Sequence, residues 1–227
     1  MSGNLAVLQK AIGYSFKDEG LLNIALTHSS TGQDENYERL EFLGDRVLGL
    51  VIAELLFRRF PKEPEGDLAK RLASLVQGAM LAELSSGISL GAYIALSDSE
   101  RGAGGAANEN ILADVYEALI GALYLDGGFE PCRNLIESQW ADVLHMMKKP
   151  PQHPKTSLQE WAQGQGLPLP AYEISGQSGP DHAPVFDVRL EIKGHGHVEA
   201  QGKSRQEAEK LAAVLFLEKI KQVGASE

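Results

Sequence analysis

The sequence predicts a chain of two parts: an all-α segment over residues 1–147, then an α+β unit of α-β-β-β-α order over 155–224. Three observations carry this prediction. Apolar residues recur at helical spacing in 5–12, 21–26, 40–57, 68–84 and 111–125. The stretch KKPPQHPK at 148–155 sets three prolines in eight residues, which removes backbone donors, so 148–154 reads as a linker. Beyond it, VFDVRLEI at 185–192 alternates polar and apolar side chains with the period of a half-buried strand.

In order along the first part, breaks between helices are expected at Gly32, from Pro61 to Gly66, at Gly87 and Gly91, and over the Gly102 to Gly105 run. Gly127 and Gly128 stop the 111–125 helix, and a last helix runs from about Pro131 to Met147. In the second part, Thr156 to Gln163 reads as a short helix and Ala171 to Ser175 as a strand. Val185 to Ile192 is the second strand, with Phe186, Val188, Leu190 and Ile192 on its apolar face. Gly194 and Gly196 mark a turn into a third strand, His197 to Gln201. Ser204, with Glu207 three residues on, caps a final helix to about Val223.

The charge argues against a partner held by bulk attraction to phosphate, which leaves a basic footprint. The net charge is −10, and residues 1–150 alone carry 21 acidic against 13 basic side chains. A single cysteine, Cys132, fits a reducing compartment. The N-terminus lacks the apolar core of a signal peptide, and no run of about 18 apolar residues marks a membrane span. A cytoplasmic protein is the simplest expectation.

The acids are not scattered. In YERLEFLGDRVLGLVIAELLF at 37–57, Glu38, Glu41 and Asp45 fall within about 60° of one another on a helix. Leu40, Leu43, Val47, Leu50 and Val51 fall opposite. Alone, that acidic face could be an ordinary solvated one. In the second block, Asp114 and Glu117 are the only charged residues from 111 to 125, and their neighbours on every side are apolar, small or Tyr. Such a helix is expected to be buried. Two carboxylates one turn apart inside it repel each other and lose hydration, so a compensating Arg, Lys or metal is required. Hard oxygen donors without His or Cys favour Mg²⁺ or Mn²⁺ over Zn²⁺. Two such metal ions about 3.5–4 Å apart can activate a water and stabilise the leaving oxygen of a phosphodiester.

These blocks resemble the ribonuclease III family. ERLEFLGD at 38–45 is similar to its signature, and ALTHSS at 25–30, PEGDLAKRLASLV at 64–76 and ADVYEALIGALYLDGG at 113–128 follow in the family's order. PKTSLQEWAQ at 154–163, GPDHAPVFDVRL at 179–190 and GKSRQEAEKLAA at 202–213 resemble a double-stranded-RNA-binding domain. The resemblance implies an endonuclease domain over 1–147 and an RNA-binding domain over 155–224. It implies that Glu41, Asp45, Asp114 and Glu117 surround a Mg²⁺ ion for which Mn²⁺ can substitute. Asp45 and Glu117 are then indispensable for the chemistry, and Glu38 and Glu65 are additional acids. Hydrolysis leaves 5′-phosphate and 3′-hydroxyl ends with short 3′ overhangs, in the processing of ribosomal precursors, messengers and other structured RNA. It implies a homodimer, with Phe42 and Gly44 near the interface, and no organic cofactor.

Tyr37, Arg46 and Arg71 depart from the common pattern but remove no carboxylate. In the second part the resemblance implies RNA contacts from Gln159 and Glu160 to one minor groove and His182 to the next. Lys203, Arg205 and Lys210 would meet phosphates. A second basic residue is missing at Gln206, and Glu207 and Glu209 intervene, so this domain alone is expected to bind weakly. The rival readings are a non-catalytic RNA-binding relative, which should have lost carboxylates, and a structural helical dimer, which leaves the acids at 114 and 117 unexplained.

Overall fold

The computed structural model describes residues 4–151, 153–180 and 184–224, and the chain divides into two compact units between Pro151 and Gln152.

The first unit is helical. Helix α1 (Leu5–Ile12) starts on an Asn4 cap and α2 (Glu19–Ala25) on an Asp18 cap. Then come α3 (Glu38–Arg59), α4 (Glu65–Leu75), α5 (Gly78–Gly87), α6 (Asp98–Gly102), α7 (Glu109–Gly127) and α8 (Phe129–Met146). Helix α7 is the axis of the unit. Asn108 caps it by accepting from the Asn110 and Ile111 amides, and eleven of its residues are buried, from Ile111 to Leu123. Its far end is tied to the N-terminal segment. Asp126 accepts hydrogen bonds from the Tyr14 hydroxyl (2.7 Å) and the Lys17 and Asp18 amides (both 2.9 Å).

Two expectations are corrected. The 68–84 period is two helices, α4 and α5, because the chain bends at Val76 and Gln77, residues that carry no breaker signal. Leu50 is not in the core: it is 60% exposed, and with Phe42 and Phe57 it forms an outward apolar stripe on α3. The displaced Arg71 is wholly buried. Its guanidinium clasps the Glu63 carboxylate at 2.6 and 2.7 Å, lies over the Phe60 ring and donates to the Met147 carbonyl. It holds the fold together rather than facing a ligand.

In the second unit, α9 (Pro154–Gly164) and α10 (Arg205–Gly224) accompany an antiparallel sheet ordered β1 (Ala171–Ser178), β2 (Val185–Ile192), β3 (Gly196–Gly202). The predicted apolar face of β2 is the buried one. Val188, Leu190 and Ile192 join Leu158, Ala162, Ala208, Ala212, Ala213 and Phe216 in one core. The Ser204 hydroxyl accepts from the Glu207 amide, and the Glu207 carboxylate accepts from the Lys203 amide, which closes the predicted cap. Among the described residues no helix is long and apolar enough to cross a membrane.

Candidate active site

The site is made by the crossing of α3 and α7. Two glycines let them touch. A Cβ on Gly44 would overlap the Glu117 carbonyl, and a Cβ on Gly121 would overlap the Leu40 carbonyl. Backbone therefore packs on backbone, as small residues permit. Glu41 and Asp45 flank Gly44, and Glu117 stands one turn before Gly121, so the crossing carries both acidic pairs to one place. Gly44, expected near an interface between copies, is buried inside the chain by this contact.

The electrostatics show how close the acids are. Glu117 is pushed up to about 8, first by burial and then by the charges of Asp45, Glu41 and Asp114, with Arg46 giving a small offset. Glu41 is raised by burial and then by Asp114, Glu38 and Asp45. Asp114 is raised by burial, against which His28 and a side-chain hydrogen bond from Tyr37 act to keep it charged. Asp45 meets Arg46 at 3.0 Å on the exposed rim. Neither Glu41, Asp114 nor Glu117 forms an ion pair among the described residues; Arg46 and His28 act on Glu117 and Asp114 from beyond salt-bridge distance. Glu38, at the head of α3, raises Glu41. Glu65 opens α4 and is not among the charges that shift the cluster.

The donor set suits a divalent cation: four carboxylates, no soft ligand, and a mutual repulsion that a cation relieves. Among the described residues no three of the acids, with His and Cys counted too, stand close enough to enclose an ion as they are. A Mg²⁺ ion that keeps several waters does not need direct contact with each acid.

In the second unit, Gln159 and Glu160 are exposed on α9, and Lys203, Arg205 and Lys210 are exposed around the start of α10. His182 lies outside the described residues. One feature was not foreseen. Glu209 is 7% exposed and binds two cations at once, Lys155 at 2.5 Å and Arg205 at 2.8 Å. Burial opposes its charge, but those two partners outweigh it and hold its carboxyl low. Arg205 is thus already engaged. The site residues missed from sequence are Gly121, a spacing partner of Gly44, and His28 in the THSS stretch.

A family profile described as Ribonuclease-III-like matches residues 18–144, and one described as Double-stranded RNA binding motif matches residues 154–220. The chain is 50% identical over 217 residues to Ribonuclease 3 of Ehrlichia ruminantium (strain Welgevonden), covering 94% of this chain and 96% of that one. The chain belongs to the ribonuclease III family. It is 47% identical to Ribonuclease 3 of Anaplasma marginale (strain Florida), over 94% and 93% of the two chains. The nuclease domain of ribonuclease III from Campylobacter jejuni, described for structural flexibility in a region involved in dimer formation, superposes with a TM-score of 0.59 at 44% identity. That match covers 61% of this chain and 99% of the Campylobacter domain. The activity of this family is endonucleolytic cleavage of double-stranded RNA, dependent on divalent metal. The helical unit matches the nuclease part of this family, and the second unit its double-stranded-RNA-binding motif.

Proposed function

We propose that this chain hydrolyses double-stranded RNA with Mg²⁺, or Mn²⁺ in its place, held by Glu41, Asp45, Asp114 and Glu117. The observation that carries this reading is the backbone contact of α3 and α7 at Gly44 and Gly121, which brings the acids of the two helices together; burial and the charges of Asp45, Glu41 and Asp114 raise Glu117 to about 8 against the opposing charge of Arg46. A divalent ion held there would supply an activated water and neutralise charge that develops on the phosphate. Glu117 and Asp45, close enough for Asp45 to raise Glu117, would orient the attacking water and accept its proton. Glu41 and Asp114 hold the ion, and Glu38 and Glu65 stand by as outer acids. The expected products are 5′-phosphate and 3′-hydroxyl ends. End analysis of a long RNA duplex cut in Mg²⁺ tests this. Ends bearing 5′-hydroxyl and a cyclic phosphate would contradict it, because they come from attack by the ribose 2′-oxygen rather than by water.

The chain acts as a homodimer, each copy cutting one strand to leave a short 3′ overhang. Phe42 is 70% exposed beside a concavity of about 810 Å³ lined in part by Leu21, Ile24, Leu43 and Leu125. A two-fold partner presents a second Phe42 to that concavity, so the contact occurs twice. Two buried Phe side chains contribute roughly 3–6 kcal/mol. Phe42→Ala is therefore expected to raise the dimer dissociation constant by about 10² or more, read by sedimentation. An unchanged dimer would place the interface elsewhere.

In the RNA-binding unit, Gln159, Glu160 and His182 read grooves while Lys203, Arg205 and Lys210 meet phosphate, with 148–154 as the linker. Glu209 competes for Arg205. Glu209→Gln keeps an acceptor but frees both cations. In the full chain without metal, duplex affinity should rise several-fold and the salt dependence steepen by about one counterion per cation recruited. Equal affinity and equal slope would show that Glu209 does not compete. The setting is cytoplasmic processing of ribosomal precursors, messengers and other structured RNA.

A further inference from the structure

The two edges of the sheet in the second unit are guarded differently. A sheet edge presents unpaired backbone donors and acceptors, and natural edges are usually blunted by Pro, Lys or a bulge. The β1 edge carries a bulge, where the register shifts between Ile174 and Gly176. The β3 edge has none of these devices. Its sequence, GHVEAQG, holds no Pro and no Lys, and its register with β2 runs unbroken from Gly196 to Gly202. Lys219 of α10 donates to the His195 and His197 carbonyls, both at 3.4 Å, and so covers the head of the strand. Among the described residues, no group outside the sheet hydrogen-bonds to the backbone from Val198 to Gln201.

A concavity of about 650 Å³ adjoins this strand. Its lining passes from Asp187 and Glu199 on β2 and β3 to Leu211, Val214, Leu215 and Glu218 on α10. The strand itself alternates across it. Val198 and Ala200 turn toward the core shared with α10, while Glu199 and Gln201 are exposed. Leu211 and Leu215 lie one helical turn apart, and they are 42% and 43% exposed. An undefended strand edge thus runs beside an uncovered apolar stripe.

The charge around it has one sign. Asp187, Glu199 and Glu218 line the concavity, and no Lys, Arg or His does. Asp187 accepts from the Gln201 amide group at 2.6 Å. Glu199 and Glu218 form no ion pair among the described residues. Such a rim repels phosphate, so this is not a second surface for RNA. A second copy paired along the same edge would set these acids against their own counterparts, which is unfavourable across strands. A strand shows alternate side chains to opposite faces. The occupant that fits is therefore apolar toward α10 and basic toward the open face of the sheet.

We propose that the β3 edge and the Leu211–Leu215 stripe form a docking site for an extended segment of another protein, in which apolar residues alternate with Lys or Arg. The segment adds as a fourth strand, with main-chain hydrogen bonds supplying the pairing and side chains the selectivity. Its apolar residues cover Leu211, Val214 and Leu215. Its basic residues meet Glu199 and Asp187, and Glu218 at the far side.

The test titrates a capped eight-residue peptide of alternating Lys and Val into the full ¹⁵N-labelled chain in chelator. Binding should saturate. Amide shifts should concentrate at 198–201 and 211–218, and the β3 amides should exchange more slowly with solvent once paired. Glu199→Lys should weaken binding by about fivefold or more, with an unchanged melting temperature. Glu137→Lys makes the same charge change on an exposed position of α8 and should stay within about twofold of native. Glu218→Lys, on the helix, repeats the test if Glu199→Lys disturbs the fold. The same peptide with Pro at a central Val keeps its charge but cannot complete the strand, and it should lose saturable binding. Equal binding of the Pro peptide, or equal weakening by Glu137→Lys, would mean that charge alone attracts the peptide and would overturn the proposal. So would the absence of saturable binding. Concentration-dependent shifts at 198–201 without peptide would make the occupant a second copy and overturn it as well.

Discussion

Replacing Glu117 by Gln is expected to abolish duplex cleavage while making the metal-free protein more stable. Cleavage should fall by at least about 10³-fold, because losing a ligand at the reacting phosphate removes several kcal/mol of transition-state stabilisation. The gain in stability follows from the sign of the pKa shift. Glu117 is raised from its usual 4.5 to about 8 in the fold. A carboxyl raised in this way costs nothing below its ordinary value, where it is protonated in both states. Above that value the unfolded chain ionises freely and the folded one does not, so the native state loses ground up to about pH 8. Gln carries no such cost. Melting in chelator should therefore show Glu117→Gln equal to native near pH 4.5 and more stable near pH 8, by on the order of a few kcal/mol. Duplex binding in chelator should survive. A melting difference that does not grow with pH, or cleavage at the native rate, would remove Glu117 from the site.

Gly44→Ala should be the most damaging single methyl in the nuclease unit. Its Cβ meets the Glu117 backbone, which has no rotamer to yield, so α3 and α7 must separate. Overpacking usually costs about 1–3 kcal/mol, and contact with backbone puts this case at the upper end or beyond. For a unit of this size the melting temperature should drop by roughly 6–12 °C. The loss reaches function as well, because the carboxylates that approach across the glycines move apart. Gly87→Ala is the control: Gly87 ends α5 with open space around its missing side chain, and Ala there should be neutral or mildly stabilising. Calorimetry and Mn²⁺ titration on both variants check this. Equal behaviour of the two would mean that the glycine contact does not set the crossing.

How much of this was legible in the sequence follows from what each signal encodes. Asp114 and Glu117 stood out because charge inside an apolar helix is costly, and the structure keeps them part-buried without an ion pair among the described residues. The alternation of β2 and the Ser204 cap were legible because both are local. Leu50 was misplaced because helical periodicity reports an apolar side chain, not whether its partner lies in the same chain. The bend at Val76 escaped because neither it nor Gln77 is a breaker residue. Gly44 and Gly121 were opaque as a pair, since glycine in a helix reads locally as a destabilising residue and its contact is 77 positions away. The double pairing of Glu209 with Lys155 and Arg205 has the same cause: one partner is four residues off, the other 54.

In the proposed function, the acids at the α3–α7 crossing hold the ion that cuts duplex RNA. The most direct measurement is single-turnover cleavage of a long RNA duplex by the native chain and by the double variant Glu41→Gln/Asp114→Asn, across the Mg²⁺ range that saturates the native chain. The variant should not cleave at any Mg²⁺ concentration in that range, and its duplex binding in chelator should be unchanged. Cleavage by the variant at the native rate would contradict the proposed function.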